Sequence, residues 1–462
     1  MAPPRHAPGI GAAVAVLLLA GCGQDGLPTA DSRPLFDLAI PDIVVTTTAD
    51  DGPGSLRQAV ADAATGAVIG FDGSLAGARI VFGSRIEIED KTVTINAPSD
   101  RGITLDGDGL SGIFLVRQTG GLTLRNATVT GSYGSEGAVM TLGTTRIENS
   151  TITGNHSVEA GFSGSGHGAG LWHSGGSLTV VNSTITGNHA DQFGGGITSF
   201  DNDGTITLVH TTVAGNTAQR GGGIFFWLGS ISTSRELTLQ NSILAGNAQE
   251  TGADCVLGDL TSFDRHYLGT NLLANADCEP RTEDIVAGDP VLGPLADNGG
   301  PTRTRALLAG SPAIETAKSA CSAIATDQRY VSRPQGTFCD IGAFEFTGFV
   351  VPPLSVDGGA TVSTSGSAVV SGRITCPAPA TLTLQVTLRQ SVKTGRSTAI
   401  VEATAAVPMT CGGSKPWSAA LAPATGGFRN GSGTVTARTV EGPTYLQAAQ
   451  ATRQVKLAWA RK

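Results

Sequence analysis

The heptapeptide Asn-Ser-Thr-Ile-Thr-Gly-Asn occurs at residues 149–155 and again, unchanged, at 182–188. With Asn126, Asn149, Asn182, His210 and Asn241 set at position zero of five copies, a common pattern emerges. An apolar residue stands two before zero in every copy (Leu124, Ile147, Val180, Leu208, Leu239), and another stands four before in all but the second, which has Thr145. Three after zero comes Val129, Ile152, Ile185, Val213 or Leu244, and five after is always glycine: Gly131, Gly154, Gly187, Gly215 and Gly246.

Side chains alternate along a strand, so positions −4, −2 and 0 share one face, and the apolar residue at +3 breaks that parity. A parity break without a long loop means that the chain turns a corner while keeping its apolar side inward. The polar residue at zero is then expected to point into the interior at the corner, where a buried amide must find partners. Stacked asparagines bonded to one another would meet that need, and the glycine at +5 marks a second bend. The copies lie 23, 33, 28 and 31 residues apart, a period that belongs to stacked architectures. Two or three short strands per copy, with no helix, predict a parallel β-helix, right-handed by the crossover preference. A propeller is the alternative, but its blades need antiparallel hairpins and the Asn-Gly or Asp-Gly turns that close them are not regularly placed between copies.

Upstream, Ile80–Phe82, Ile86–Ile88, Val93–Ile95, Ile103–Leu105 and Ile113–Leu115 alternate in the same way and supply earlier coils. Before them, Ser55 and Gln58 suggest a capping box, Leu56, Val60 and Ala63 share a helical face, and Gly66 ends the turn. This short helix is expected to cover the open N-terminal edge of the β-helix. Composition agrees with a turn-rich all-β chain: 64 of 462 residues are glycine and only 15% are charged, against roughly a quarter in ordinary domains. The net charge of −8 includes no basic stripe, which argues against a nucleic-acid partner.

An apolar stretch from Ile10 to Ala20 follows Arg5 and His6 and reads as a secretion signal, too short to span a membrane. It ends Leu19-Ala20-Gly21-Cys22, which resembles the lipobox of bacterial lipoproteins; the alternative is a cleaved signal beside an unrelated cysteine. The resemblance implies acylation of Cys22, cleavage before it and attachment to a membrane through the N-terminal lipid. Gly23 stands where an aspartate would imply inner-membrane retention, so the outer membrane or cell surface is the expected location. Setting Cys22 aside leaves six cysteines in neighbouring couples, and three local disulfides are expected: Cys255 with Cys278, Cys321 with Cys339, and Cys376 with Cys411.

Two further stretches carry a resemblance. The segment from Val45, containing Ser55-Leu56-Arg57-Gln58-Ala59, resembles the start of many bacterial surface β-helix proteins. Asp297-Asn298-Gly299-Gly300-Pro301-Thr302, Ser311-Pro312-Ala313, Asp327-Gln328-Arg329, Arg333-Pro334 and Cys339-Asp340-Ile341-Gly342-Ala343 together resemble the choice-of-anchor Q proteins. That resemblance implies a secreted right-handed β-helix held at the cell surface, with no shared enzymatic activity. The chain ends Lys456-Leu-Ala-Trp-Ala-Arg-Lys462 with no sorting signal, so the Cys22 lipid is the expected anchor. Asp327, Arg329, Arg333 and Asp340 are read as pinning a terminal cap rather than as a catalytic cluster. After Val356, alternating segments and the Cys376–Cys411 couple suggest an immunoglobulin-like β-sandwich of about seven strands. The expected organisation is a signal peptide over residues 1–21, a flexible tether over 22–43, the β-helix over 44–346 and the sandwich over 352–462.

No nucleophile elbow, Walker loop, zinc spacing or Rossmann signature is present, and no cofactor or catalytic residue is assigned. Gly166-His167-Gly168 matches a tripeptide of pectin-cleaving β-helix hydrolases but lacks its aspartate companions, and glycine density makes a chance match the better reading. Asp106-Gly-Asp108 offers too few ligands for calcium and reads as a tight turn. The strongest candidate site is on one face. If Leu171, Ile197 and Ile224 point inward, Trp172, Thr198 and Phe225 point outward in register, with Phe200 and Trp227 one step further and Asp201 and Asp203 beside them. Exposed aromatics in a row suit sugar rings, although cover by the C-terminal sandwich or a long loop is the competing reading. Asp201 and Asp203 would share one side of a strand about 7 Å apart in one solvated setting, with no reason to differ in protonation. The expected function is therefore a non-catalytic surface binding or adhesion module for a polysaccharide or cell-surface glycan. The alternatives are a polysaccharide-degrading lyase or glycoside hydrolase, and a structural envelope protein.

Overall fold

A computed structural model describes residues 40–110, 112–161, 165–200, 204–226, 235–249, 254–257, 263–317, 324–348, 352–441 and 449–460. Its first part is a parallel β-solenoid whose coils contribute to four stacked walls. The first wall holds nine described strands, from Ile43–Val45 through Gly121–Arg125, Thr144–Glu148, Gly176–Val181 and Gly204–Val209 to Phe263–Leu268. The second also holds nine, including Ala127–Thr130, Thr151–Thr153 and Thr184–Thr186. A third wall of five begins at Tyr133–Gly134, and a fourth of seven includes Leu171–His173, Ile197–Ser199 and Ile224–Phe226. The middle coils thus have four strands where two or three were expected, because the glycine-rich turns flank strands only two to six residues long.

Register is strict. Ile147 pairs with Leu124 and Val180, and Ile152 with Val129 and Ile185, so each apolar column of the repeat is a ladder of side chains inside the solenoid. Leu124, Ile147, Val180, Leu208 and Leu239 are fully buried, as are Val129, Ile152, Ile185 and Val213. Burial of one such side chain contributes about 1.5–3 kcal/mol, so repetition of the pattern, rather than any single contact, stabilises the stack.

The two asparagines of the heptapeptide do different work. At position zero, Asn126, Asn149, Asn182, His210 and Asn241 all have φ between 45° and 60°. This left-handed conformation is what turns the corner, and asparagine tolerates it better than most residues. The position-zero side chains do not form the expected ladder throughout. Asn149 donates to the Tyr330 hydroxyl, Asn182 to the Thr326 carbonyl, and only Asn241 reaches its neighbouring copy, at His210 Nε2. The continuous ladder is at +6 instead. Asn155 donates to Asn188, Asn188 to Asn216, and Asn216 to Asn247, each at 2.9 Å, and Asn247 ends the row on Asp254. A second row at +1 links Ser150 and Ser183, with the Ser183 hydroxyl accepting the Ser150 N–H at 3.1 Å. The glycines at +5 have φ between 66° and 76°, which confirms the second bend.

A helix at Leu56–Asp62 opens the solenoid, with Ser55 accepting the Gln58 N–H and Leu56, Ala59 and Val60 buried in the solenoid core. Only half of the capping box forms, because the Gln58 side chain donates to Asp62 instead of reaching back. At the other end, residues 297–317 and 324–346 form a strap. They were expected to pin a terminal cap, but their bonds fall along the flank: Tyr330 donates to Asn126, Thr302 to the Asn149 carbonyl, and the Ala343 N–H to Thr212. The strap therefore runs back along the corner between the first two walls, crossing several coils. Cys255–Cys278 and Cys376–Cys411 are disulfides; Cys339 is also disulfide-bonded, and Cys321 lies outside the described residues.

Beyond residue 352 the chain is all β. Ala368–Thr394 pairs with Ser397–Leu421 along nearly its whole length, broken by a register shift between Cys376 and Ala380. Ala368–Thr394 also pairs with Gly431–Glu441, which pairs with Gln450–Trp459, which pairs with Gly359–Val362 and so back to Ala368–Thr394. The sheet thus wraps around one core containing Leu384, Val386, Leu388, Trp417, Phe428, Val435 and Leu457. Six described strands replace the expected seven or so, because Ala368–Thr394 and Ser397–Leu421 each run on as a single strand where the sequence suggested separate short strands.

Candidate functional site

The register predicted for the fourth wall is correct: Leu171, Ile197 and Ile224 pair and face the core, and Trp172, Thr198 and Phe225 form the column beside them. That outer column is covered, however. Trp172 and Phe225 are only 8% and 2% exposed, and Thr198 is fully buried. The cover comes from Phe193, the last residue of the third-wall strand His189–Phe193, which stacks on Phe225 with ring centres 4.5 Å apart and planes 11° apart. Phe200 meets Trp172 edge-on at 6.3 Å, and His167 lies against both Phe193 and Phe200. Arg220 sits over the rings of Phe193 and Phe225, 5.8 Å from each. The expected open row is therefore a two-layer aromatic cluster, in which Phe193 and Phe200 remain half-buried at the surface. Asp201, Asp203 and Trp227 lie outside the described residues.

Beside this cluster, the third wall presents a polar column at position +7. Parallel pairing sets Tyr133 against His156, His156 against His189, and His189 against Thr217. Tyr133 packs edge-on to His156 at 5.0 Å, and the two imidazoles are 4.6 Å apart. Asp191, two residues beyond His189 and so on the same side of the strand, approaches His156 Nε2 at 2.8 Å and His189 Nε2 at 3.4 Å. Burial raises the Asp191 pKa, but the His156 ring, the Glu159 N–H and His189 outweigh it and hold the carboxyl below its ordinary value. Sequence reading stopped at the glycine at +5 and missed this column. Extending the repeat by two positions would have shown Tyr133, His156, His189 and Thr217 in one row.

The other candidates are structural. Gly166 and Gly168 flank His167 because both have positive φ, at 75° and 57°. His167 itself is buried, bonded to Gln192 at 3.2 Å, and burial pushes its imidazole below the ordinary value. Asp106 accepts the Asp108 N–H at 2.8 Å and Arg79 at 2.6 Å, as the tight turn requires. In the strap, Arg329 pairs with Asp327 at 2.7 Å and Arg333 with Glu345 at 2.7 Å, all of them buried or nearly so. Burial pushes Asp340 up to about 8, reinforced by the neighbouring Glu345 carboxylate, which burial also raises. These groups accept backbone N–H donors of the strap itself, as at Glu315 and Phe346, and hold it in shape.

Residues 71–251 match the family model of the right handed beta helix region, the part of the chain that contains all five copies of the repeat and both sides of the candidate face. The match agrees with the coil direction expected from the crossover preference. No curated protein matches the chain.

Proposed function

From a right-handed β-helix as premise, we propose that this chain is an exported, lipid-anchored surface protein that binds carbohydrate without transforming it. Right-handed β-helix regions occur both in surface proteins and in polysaccharide-degrading enzymes. The observation that favours binding is the half-buried pair Phe193 and Phe200, held rigidly on Phe225 and Trp172 and bordered by Arg220 and the polar column Tyr133, His156, His189 and Asp191. A sugar ring needs an apolar platform and convergent hydrogen-bonding groups at its edge, and this face supplies both. Rigidity matters because a platform already ordered loses little entropy when the ligand arrives.

The location rests on Leu19-Ala20-Gly21-Cys22, which lies outside the described residues, and on the resemblance of the strap segments to choice-of-anchor Q proteins. The extensive bonding of those segments to the solenoid flank supports reading them as a scaffold signature. No helix of the described residues is long and apolar enough to cross a membrane.

The test is a glycan array probed with the mature, soluble chain, followed by titration of the best ligand. Phe193→Ala and Arg220→Ala should each weaken binding by about tenfold or more, with unchanged circular dichroism. Binding that survives both substitutions moves the site elsewhere. Release of reducing ends or unsaturated sugars from a polysaccharide replaces the binding reading with an enzymatic one.

A further inference from the structure

We propose that His156, His189 and Asp191 form an open site for a divalent transition-metal ion of the zinc class. Among the described residues they are the one group of three or more His, Cys, Asp or Glu side chains placed to share an ion, with ligand atoms all within 4.8 Å of one another. The proposal does not depend on carbohydrate binding.

The solenoid creates the arrangement without any loop. His156 and His189 are paired residues of adjacent coils, so their rings meet edge-on, 4.6 Å apart with planes at 66°, and cannot drift apart without breaking the parallel register. Asp191 comes from the same strand as His189 and points to the same side. Its Oδ2 accepts the Glu159 N–H at 3.0 Å, which leaves Oδ1 facing both imidazoles. The two rings present Nε2 to that oxygen, at 2.8 and 3.4 Å. Zinc bonds nitrogen and oxygen at about 2.0–2.2 Å, so tetrahedral ligand atoms lie about 3.3–3.5 Å apart. Of the two spacings found at Asp191 Oδ1, that to His189 falls within this range and that to His156 is shorter, so an ion would enter with side-chain adjustments of about an ångström.

A hydrogen bond to the outer ring nitrogen supports ligation. His189 Nδ1 lies 2.7 Å from Thr217 Oγ1, the next residue of the same column. When Nδ1–H donates to that hydroxyl, the Nε2 lone pair faces Asp191, which is the tautomer a metal requires. Two neutral imidazoles and one carboxylate suit zinc or copper better than calcium or magnesium, which prefer all-oxygen shells. The side chains of His156, His189 and Asp191 are 33%, 49% and 35% exposed, so a fourth position would open to solvent and take water or a ligand oxygen.

The test uses the mature, tag-free chain, stripped with a chelator, dialysed and titrated with Zn²⁺ alone in a calorimeter. One equivalent should bind. His156→Ala, His189→Ala and Asp191→Asn should each weaken the affinity by at least about tenfold, while His266→Ala, on the first wall, should leave it unchanged. Co²⁺ should give the visible absorption of a low-symmetry site in wild type and lose it in His189→Ala. Circular dichroism of each variant should match wild type, because the column is solvent-facing. Absence of Zn²⁺ binding, or binding that withstands His156→Ala and His189→Ala, overturns the proposal and leaves the column as a hydrogen-bonded ladder. Because the probe is the metal alone, the outcome is independent of whether Phe193 binds sugar.

Discussion

At the scale of single residues, the same letter means different things at different places in the repeat. Asn182 is there for its left-handed backbone, and Asn188 for its amide. Asn188 donates to Asn216 and to the Ile152 carbonyl, and accepts from both the side-chain amide and the backbone N–H of Asn155. Asn188→Ala removes all four bonds and leaves buried partners unsatisfied, so it should cost about 3 kcal/mol in denaturant unfolding, at a cost of about 1–3 kcal/mol per orphaned group. Asn182→Gly keeps the backbone conformation and loses only the bond to Thr326, so about 1 kcal/mol is expected. A larger loss at Asn182 than at Asn188 would reverse this assignment. His173 makes one separable contribution to the pH dependence of stability. Burial pushes its imidazole down to about 4, whereas an unfolded histidine titrates near 6.5. Between those values the unfolded chain binds more protons, so the contribution of His173 is fully present above about pH 6.5 and fades towards pH 4, at about 1.4 kcal/mol per pH unit. Wild type should therefore lose about 2–3 kcal/mol relative to His173→Gln between pH 7 and pH 4.5. A constant difference across that range would show that the ring is hydrated in the folded state.

At the scale of elements, the strap is the unexpected one. Its residues were read from sequence as pinning a terminal cap, whereas their bonds make it a brace along the solenoid flank. Gln328 is the clearest fastening point. It accepts from Thr184 at 2.7 Å and donates to the Ser150 carbonyl, the Thr151 hydroxyl and the Thr302 hydroxyl, joining two coils to two parts of the strap. Gln328→Ala should lower stability by about 3 kcal/mol and raise amide exchange at Thr326–Tyr330 and Thr302–Thr304 before it affects the first coils. Uniform exchange throughout the chain would mean that strap and solenoid open as one unit. The short N-terminal helix was legible because its cap and apolar face are contiguous in sequence. The strap's path was not, since Tyr330 meets Asn126 across 204 residues and no local pattern encodes that pairing.

At the scale of the whole molecule, the question is how the solenoid is presented. A lipid on Cys22 would place a short tether, 22–43 in the sequence reading, between the membrane and the first coil. Cys22→Ala should move the protein from the membrane fraction to the soluble fraction, with unchanged folding of the β-helix. Retention in the membrane by that variant would place the anchor elsewhere. The candidate face illustrates how much of a site can be read in advance. The in-register column Trp172, Thr198 and Phe225 was legible, because parity and repeat alignment define it. Its cover was not, because Phe193 reaches Phe225 by crossing a glycine turn whose direction depends on backbone φ rather than on side-chain pattern. For the same reason, of the aromatic strip expected from sequence Trp172 and Phe225 lie beneath the surface, Phe200 stays half-buried at it, and Phe193, not part of that strip, lies beside it.

The amino-acid sequence by itself determined the coil: the apolar columns, the corner at zero and the bend at +5 repeat because each rests on the local preferences of one residue type. It also pointed to coils stacked in parallel rather than to a propeller, since the columns recur at intervals of 23 to 33 residues without regularly placed hairpin turns between them. The tertiary structure alone decided which asparagine column forms the internal ladder, where the strap lies, and which outward side chains reach solvent. Each of those outcomes depends on contacts between coils or across the chain, where the energy belongs to the pair and neither partner's sequence neighbourhood specifies it.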